Sequence, residues 1–290
     1  MSTRELKTSV ILPARNEKYL ASTIDSIRQN AGSEIEIIVV LDGPTEYPLP
    51  EFDGKVIEFK ESRGIRHSIN EAVSQSTGDY ILKLDAHCIV SPGFVSALLD
   101  NYYDGWVSVA SRFTLDLETV KPGPRRVDYF YLSCPWTHPK SMMMQSCPWI
   151  GMTDRRPEID LDELMCFQGS MWFMSRSHWD WLGGLETDLQ YAEHHEISMK
   201  TWLGGRRVVV NKNAWYAHPS RPTSGYHMSM RQVYKDHAIS AKYWTENKWP
   251  KRVHDFDWLI DKFWPLPMAD SRHRTEKYYW PEDWRKYYAH

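Results

Sequence analysis

This 290-residue chain has no apolar run long enough to cross a membrane, and its first one, residues 9–12, is also too short for the core of a signal peptide. A protein with no membrane anchor that stays in the cytoplasm is therefore expected. Cysteine is scarce. Cys88, Cys134, Cys147 and Cys166 show no C-x-x-C spacing, which argues against a zinc knuckle or a redox pair and makes reduced thiols the expectation. Neither sign of charge dominates: the formal net charge is −3, so nucleic acid or an anionic membrane could be held only by a local basic patch. No repeat or low-complexity block is present, which excludes solenoid and linker architectures.

What is present is a pattern of short apolar runs alternating with helix-like segments. Residues 8–12, 35–41, 55–59 and 80–84 read as buried strands, and 17–30 and 65–76 read as helices between them. This spacing implies a parallel α/β sheet, whose ligands bind beyond the carboxyl ends of the strands. Weight therefore falls on the residues that follow strands: 13–17, Asp42 with Gly43, and Asp85, Ala86 and His87. From 114 to 165 the pattern dissolves into Pro, Met, Trp and charged residues, and we read that stretch as a functional loop region. Order returns with 167–174, helices at 175–182 and 193–203, and strands at 206–210 and 214–217. A tail rich in Trp and Tyr follows, with a helix expected over 229–244 and shorter aromatic segments near Trp258 and Trp284. The expected division is a catalytic domain over 1–225 and a helical extension over 226–290 packed on it.

The sharpest local signal is Asp85-x-His87. Residues i and i+2 leaving a strand point to one side, so a carboxylate and an imidazole can face one cation. Mixed oxygen and imidazole ligation suits Mn²⁺, or Mg²⁺, bridging a diphosphate. The plainer alternative is that Asp85 caps a turn and His87 packs on the sheet.

The ordered set of segments carries a resemblance. Residues 10–17 (VILPARNE), 39–43 (VVLDG), 62–66 (SRGIR), 77–87 (TGDYILKLDAH), 168–170 (QGS), 183–186 (GGLE), 193–198 (EHHEIS) and 218–221 (HPSR) make the chain similar to nucleotide-diphospho-sugar transferases of the GT-A fold. These are glycosyltransferase family 2 and the polypeptide N-acetylgalactosaminyltransferases. The resemblance implies a mixed α/β sheet flanked by helices and a nucleotide diphosphate sugar donor, a UDP-sugar first. It implies that Pro13, Ala14, Arg15, Glu17 and Asp42 hold the base and ribose. Arg63, Arg66 and Arg221 would face the diphosphate or base, and Asp85 and Ala86 would border the donor. His218 would join Asp85 and His87 as the third metal ligand. Glu193 is placed as the catalytic carboxylate, either removing the acceptor proton or holding the donor sugar. Glu196 could exchange roles with it, and Glu186 and Asp188 remain acidic alternatives. Gln168 and Gly169 would lie near the sugar.

The 114–165 region, Trp149 included, and the aromatic tail are the candidate acceptor surfaces, because sugar and base rings stack on aromatic faces. Arg125, Arg126, Arg155, Arg156, Lys251, Arg252, Arg272 and Arg274 lie among Tyr129, Trp149, Trp258 and Tyr278. That interleaving keeps a hydroxylated base in DNA open as the acceptor, against a tail packed on the domain with its charges in solvent. A nucleotide-sugar hydrolase and a noncatalytic binding module are the rival classes.

Overall fold

The computed structural model describes residues 6–133, 145–219, 229–267 and 282. In chain order the elements of the first half are β1 (Thr8–Ala14), α1 (Leu20–Asn30), β2 (Ile35–Asp42), β3 (Lys55–Phe59), α2 (Ile65–Ser74), β4 (Tyr80–Leu84), β5 (Ile89–Val90), α3 (Phe94–Asp100) and β6 (Trp106–Asp116). There follow β7 (Lys121–Val127), β8 (Phe130–Ser133), β9 (Gln145–Pro148), α4 (Ile150–Arg155), β10 (Leu161–Glu163), β11 (Met171–Ser175), α5 (Arg176–Leu182), α6 (Glu193–Leu203), β12 (Arg207–His218), α7 (Met230–Thr245) and α8 (Phe256–Phe263).

One mixed sheet runs in the order β10-β12-β6-β11-β4-β1-β2-β3, with β5 added to β12 and β7 to β6. Its β3-β2-β1-β4 half is parallel, as the β-α spacing requires. β1, β2 and β4 are almost wholly apolar and buried on both faces, the signature of strands covered by helices on either side. β11 then enters antiparallel beside β4 and pairs Met171 with Leu84. This seats residues 168–170 against the carboxyl end of β4, where Asp85 N donates to Ser170 O at 2.8 Å.

β12 explains how a distant histidine reaches the same place. It runs parallel to β6, and its last turn of pairing is antiparallel to β5, Tyr216 opposite Val90 and Ala217 opposite Ile89. Continuing that register by one residue sets His218 beside the segment that carries His87. The two strands expected at 206–210 and 214–217 are one strand with a register shift between Asn211 and Trp215. Asn211 braces the bulge by donating to Ala97 O and accepting from Asn213 N.

The 114–165 region, expected as a functional loop region, forms regular elements over its described residues. It holds the end of β6, then β7, the β8–β9 pair, α4 and β10. β7 contains Pro122 and Pro124 and pairs with β6; a strand that need not donate on its other edge tolerates proline. Of the extension, α7 and α8 pack on α6 and on one another. The expected boundary at 225 and the residues Arg221, Arg272, Arg274, Tyr278 and Trp284 lie outside the described residues. No helix among the described residues is long and apolar enough to cross a membrane.

Candidate active site

The carboxyl ends of β1, β2 and β4, the 62–65 turn, residues 168–170, Gln190–Tyr191 and the start of α6 enclose a cavity of about 570 Å³. Pro13, Ala14, Arg15, Glu17, Asp42, Arg63, Asp85, His87, Gln168, Gly169 and Glu193 all line it. These side chains come from six separate segments, and the strand topology alone brings them together.

At one end the ligand atoms of Asp85, His87 and His218 lie within 4.8 Å of one another. His87 Nε2 is 3.0 Å from His218 Nε2, and His218 Nε2 is 3.2 Å from Asp85 Oδ2. Ligands at right angles on bonds of about 2.1 Å would stand roughly 3 Å apart, so the spacing fits a small divalent cation. Three of the groups around it fit as well. Glu17 Oε2 lies 2.8 Å from His87 Nδ1; an ionised carboxylate only accepts, so Nδ1 carries the proton and Nε2 turns its lone pair to the centre. Burial lowers His218 to about 4 despite Asp85 beside it, which leaves it neutral near pH 7, the form that ligates. Burial raises the Asp85 carboxyl, but Lys83 and the two histidines outweigh this and hold it well below the usual carboxylate range. Arg112, on β6, points its Nη2 at His218 Nδ1 from 3.3 Å; a guanidinium only donates, so here Nε2 carries the proton toward Asp85 Oδ2, and ligation through Nε2 requires that proton to leave and His218 to take its other tautomer, turned from Arg112.

Glu193 opens α6 and faces the cavity from the opposite side. It is 7 % exposed, and His194 Nδ1 sits 3.6 Å from its Oε1. Burial raises its carboxyl, and His194, Lys83 and Arg66 more than reverse the effect, to about 2. Gly169 presses against it: a Cβ at that position would meet Glu193 Oε1 at 2.2 Å.

Several expected roles do not survive the geometry. Arg66 is 1 % exposed and does not face the cavity. Its Nη1 pairs with Glu196 and donates to Glu186 O, while Nε donates to Tyr191 O at 3.0 Å. Glu196 is turned to the same cluster, paired with Arg66 and with Lys200 at 2.6 Å and accepting from Glu186 N at 3.2 Å. The two hold the 184–191 segment in place and are unavailable for catalysis. Ala86 lies in the hydrophobic core. Trp149 is 4 % exposed and packs edge-on against Tyr131 under the β8–β9 pair, so it offers no face to a sugar. Asp42, by contrast, lines the cavity as expected, and its oxygens also accept from Ser62 Oγ, Arg63 N and Gly64 N, which shapes the 62–64 turn, where Gly64 has φ 89°. Glu186 and Asp188 are exposed and outside the cavity.

Four of the basic residues noted among aromatics are also matched locally. Arg126 pairs with Asp128, Arg156 with Asp162 and Arg252 with Asp255, Lys251 donates to Trp181 O, and Tyr129 is buried. Unforeseen were Lys83, Arg112, His194, the pair Gln190 and Tyr191, and Ser229 at the start of α7. Lys83 alone had a legible signal, the alternation Lys83, Asp85, His87 along one strand face.

The mixed sheet with its parallel half, and the Asp85, His87 and His218 cluster at the carboxyl edge, define a fold of the GT-A class. The glycosyl transferase family 2 model matches residues 9–182. The chain belongs to that family. It is 25 % identical over 237 residues to polypeptide N-acetylgalactosaminyltransferase 3 of Taeniopygia guttata, covering 75 % of this chain and 38 % of that protein; the chain thus spans under two fifths of that relative's length. Among solved structures it superposes on GalNAc-T7 with UDP, GalNAc and Mn²⁺ at a TM-score of 0.65 and 18 % identity, over 84 % of this chain and 50 % of the other. It superposes on the Pyrobaculum calidifontis mannosyltransferase PcManGT with GDP-Man and Mn²⁺ at 0.56 and 18 %, over 85 % and 66 %.

Proposed function

We propose that this chain transfers a sugar from a nucleoside diphosphate donor, a UDP-sugar first, to a hydroxyl acceptor, with Mn²⁺ (or Mg²⁺) held by Asp85, His87 and His218. The observation that carries the reading is the convergence of those three ligand atoms within 4.8 Å, beside a cavity of about 570 Å³ at the carboxyl edge of the sheet. The Mn²⁺ and nucleotides named with GalNAc-T7 and PcManGT support it. A bound divalent ion would supply Lewis-acid neutralisation of the diphosphate leaving group. Residues 13–15 form the cavity wall at the end of β1, where a base and ribose would lie. Arg63, stacked on Phe59 with its guanidinium 5.0 Å from the ring centre, offers a fork to phosphate oxygens. Glu193, held at about 2, is a carboxylate at neutral pH and a poor proton acceptor, which favours hydrogen-bonding to sugar hydroxyls over proton removal. The reading keeps the protein in the cytoplasm, a compartment that the free, buried thiols of Cys88 and Cys166 suit.

The test is a thermal-shift screen with Mn²⁺ and UDP-, GDP-, CDP- and ADP-sugars. A rise that needs both the metal and one nucleotide, and is lost in Asp85→Ala, supports the reading. No rise with any pair would move the chain to the class of noncatalytic modules. Sugar release at equal rates with and without acceptor would make it a hydrolase.

A second reading concerns the acceptor. Met230, Arg231, Tyr234, Lys235, Ile239 and Lys242 form the exposed face of α7, whose one acidic residue, Asp236, is buried; Lys242 pairs with Glu246 at 3.8 Å, which leaves Arg231 and Lys235 as the basic part of that face. Ser229, at its N-terminus, lines the cavity. A basic strip with an exposed aromatic ring leading to the donor site suits a polyanionic acceptor with stacking bases, and we propose DNA carrying a hydroxylated base. Lys235→Glu should weaken binding of hydroxymethylated DNA at low salt and leave donor binding unchanged. Failure of the wild-type protein to bind that DNA at low salt disposes of this acceptor and leaves the donor reading standing.

A further inference from the structure

Lys83 is the third residue from one face of β4 and its extension, two positions before Asp85 and four before His87. Its side chain is 1 % exposed, and a buried ammonium is costly to keep unless it is paired and hydrogen-bonded. Nζ meets that demand with two partners, Asp85 Oδ1 and the carbonyl of Gly169, and lines the cavity with what remains. The two carboxylate oxygens of Asp85 are thereby divided. Oδ1 is held by the ammonium, and Oδ2 faces the imidazoles of His218 at 3.2 Å and His87 at 3.7 Å. Gly169, the other partner, is the residue packed against Glu193 and His194, where a Cβ would stand 2.2 Å and 3.1 Å from their nearest atoms. One ammonium group therefore touches both halves of the site.

Two consequences follow from charge and geometry. A carboxylate with one oxygen tied to an ammonium offers a cation the other oxygen alone. A fixed positive charge at ion-pair distance from a metal ligand also repels a second cation in the site. An ordinary orienting partner loses metal affinity when it is removed, whereas a cationic one should show the opposite sign.

We propose that Lys83 is a positioning residue that restricts Asp85 to single-oxygen ligation and sets Gly169 at its close approach to Glu193, at the expense of affinity for the divalent ion. The proposal rests on the Asp85, His87, His218 centre described above.

The experiment uses the full chain and its Lys83→Met variant, with Mn²⁺ alone as the probe, followed by the electron paramagnetic resonance signal of the free ion and by calorimetry. Mn²⁺ should bind the variant more tightly, by roughly tenfold, while turnover at saturating Mn²⁺ falls by roughly tenfold or more. Unchanged or weaker Mn²⁺ binding in a variant that melts like the wild type would overturn the proposal, and so would wild-type turnover. If Lys83→Met does not fold, Lys83→Arg keeps the charge and misplaces the donor: Mn²⁺ affinity should stay within about twofold while turnover drops, and wild-type turnover overturns the idea. A wild-type protein that binds no Mn²⁺ removable by Asp85→Ala would sink the metal centre itself and the role of Lys83 with it, an outcome distinct from failure of the variant alone.

Discussion

Glu193 and Glu196 stand three residues apart on α6, and the helix turns them to different tasks. Glu193 looks into the cavity; Glu196, rotated back by about 60°, meets Arg66 and Lys200 at its side. Removing one partner from a buried ion pair leaves the other charge uncompensated, so Glu196→Ala should destabilise the fold by about 3 kcal/mol, read as a lower urea midpoint. Glu193→Gln, which loses a carboxylate held at about 2 but keeps an accepting oxygen, should cost less stability, about 1–2 kcal/mol, and lower turnover by roughly tenfold or more. Equal loss of stability in the two variants would contradict the division of roles. Gly169→Ala separates space from charge. The atom its methyl would strike is the end of the Glu193 side chain, which can swing aside at little cost to folding. A protein of normal melting temperature with turnover down roughly tenfold is expected, and normal turnover would show that the close approach is unimportant.

The parallel half of the sheet is pinned at its amino edge by one carboxylate. Glu36, near the start of β2, accepts from Ser9 Oγ of β1, from Thr77 Oγ1 at 3.0 Å and from the backbone amides of Thr77 and Gly78, which lead into β4. Burial raises its carboxyl, and these bonds together with Lys7 outweigh this and lower it from 4.5 to about 2. A folded value below the unfolded one means the stabilisation is fully present above about pH 4.5 and is lost as the pH falls toward 2. Glu36→Gln should cost about 2 kcal/mol at pH 7, and the gap between variant and wild type should narrow between pH 5 and pH 2.5 in parallel urea titrations; a gap that stays constant would show that another group carries the effect. The same elements show what the sequence disclosed. β3 and β4 begin and end where short apolar runs meet turn residues, and the expected bounds coincide with the observed ones. β7 escaped notice because Pro122, Gly123 and Pro124 erase a strand pattern, and only its edge position permits them. Arg66 and Glu196 were read as site residues because each stands beside a motif; their partnership across 130 residues leaves no local trace. Asp85 and His87 were legible from alternation on one strand, whereas His218 needed the ordered motifs.

At the scale of the molecule the question is how α7, beyond the sheet, bears on a cavity built at the strand ends. Asp236 supplies the connection. It is fully buried, its Oδ2 accepts from Gln190 N at 2.8 Å and Tyr191 N at 3.0 Å, and its Oδ1 accepts from Gln232 Nε2 at 2.6 Å. Gln190 and Tyr191 line the cavity, and Ala192, which follows them, adopts φ 62° just before Glu193. The helix therefore fixes the entry to α6 through one side chain, while Arg66 and Lys200 hold the same segment from below. Asp236→Ala would strand two buried amides, and we expect a loss of about 2–3 kcal/mol in urea denaturation together with weaker donor-induced thermal stabilisation. Asp236→Asn is the informative control. Its oxygen can still accept from both amides, and its NH₂ can donate to Gln232 once that side chain turns over, so stability should fall by about 1 kcal/mol or less and the donor response should persist. If Asp236→Ala kept the full donor response despite its lower stability, α7 would be a prop for the fold, and the cavity would be independent of it.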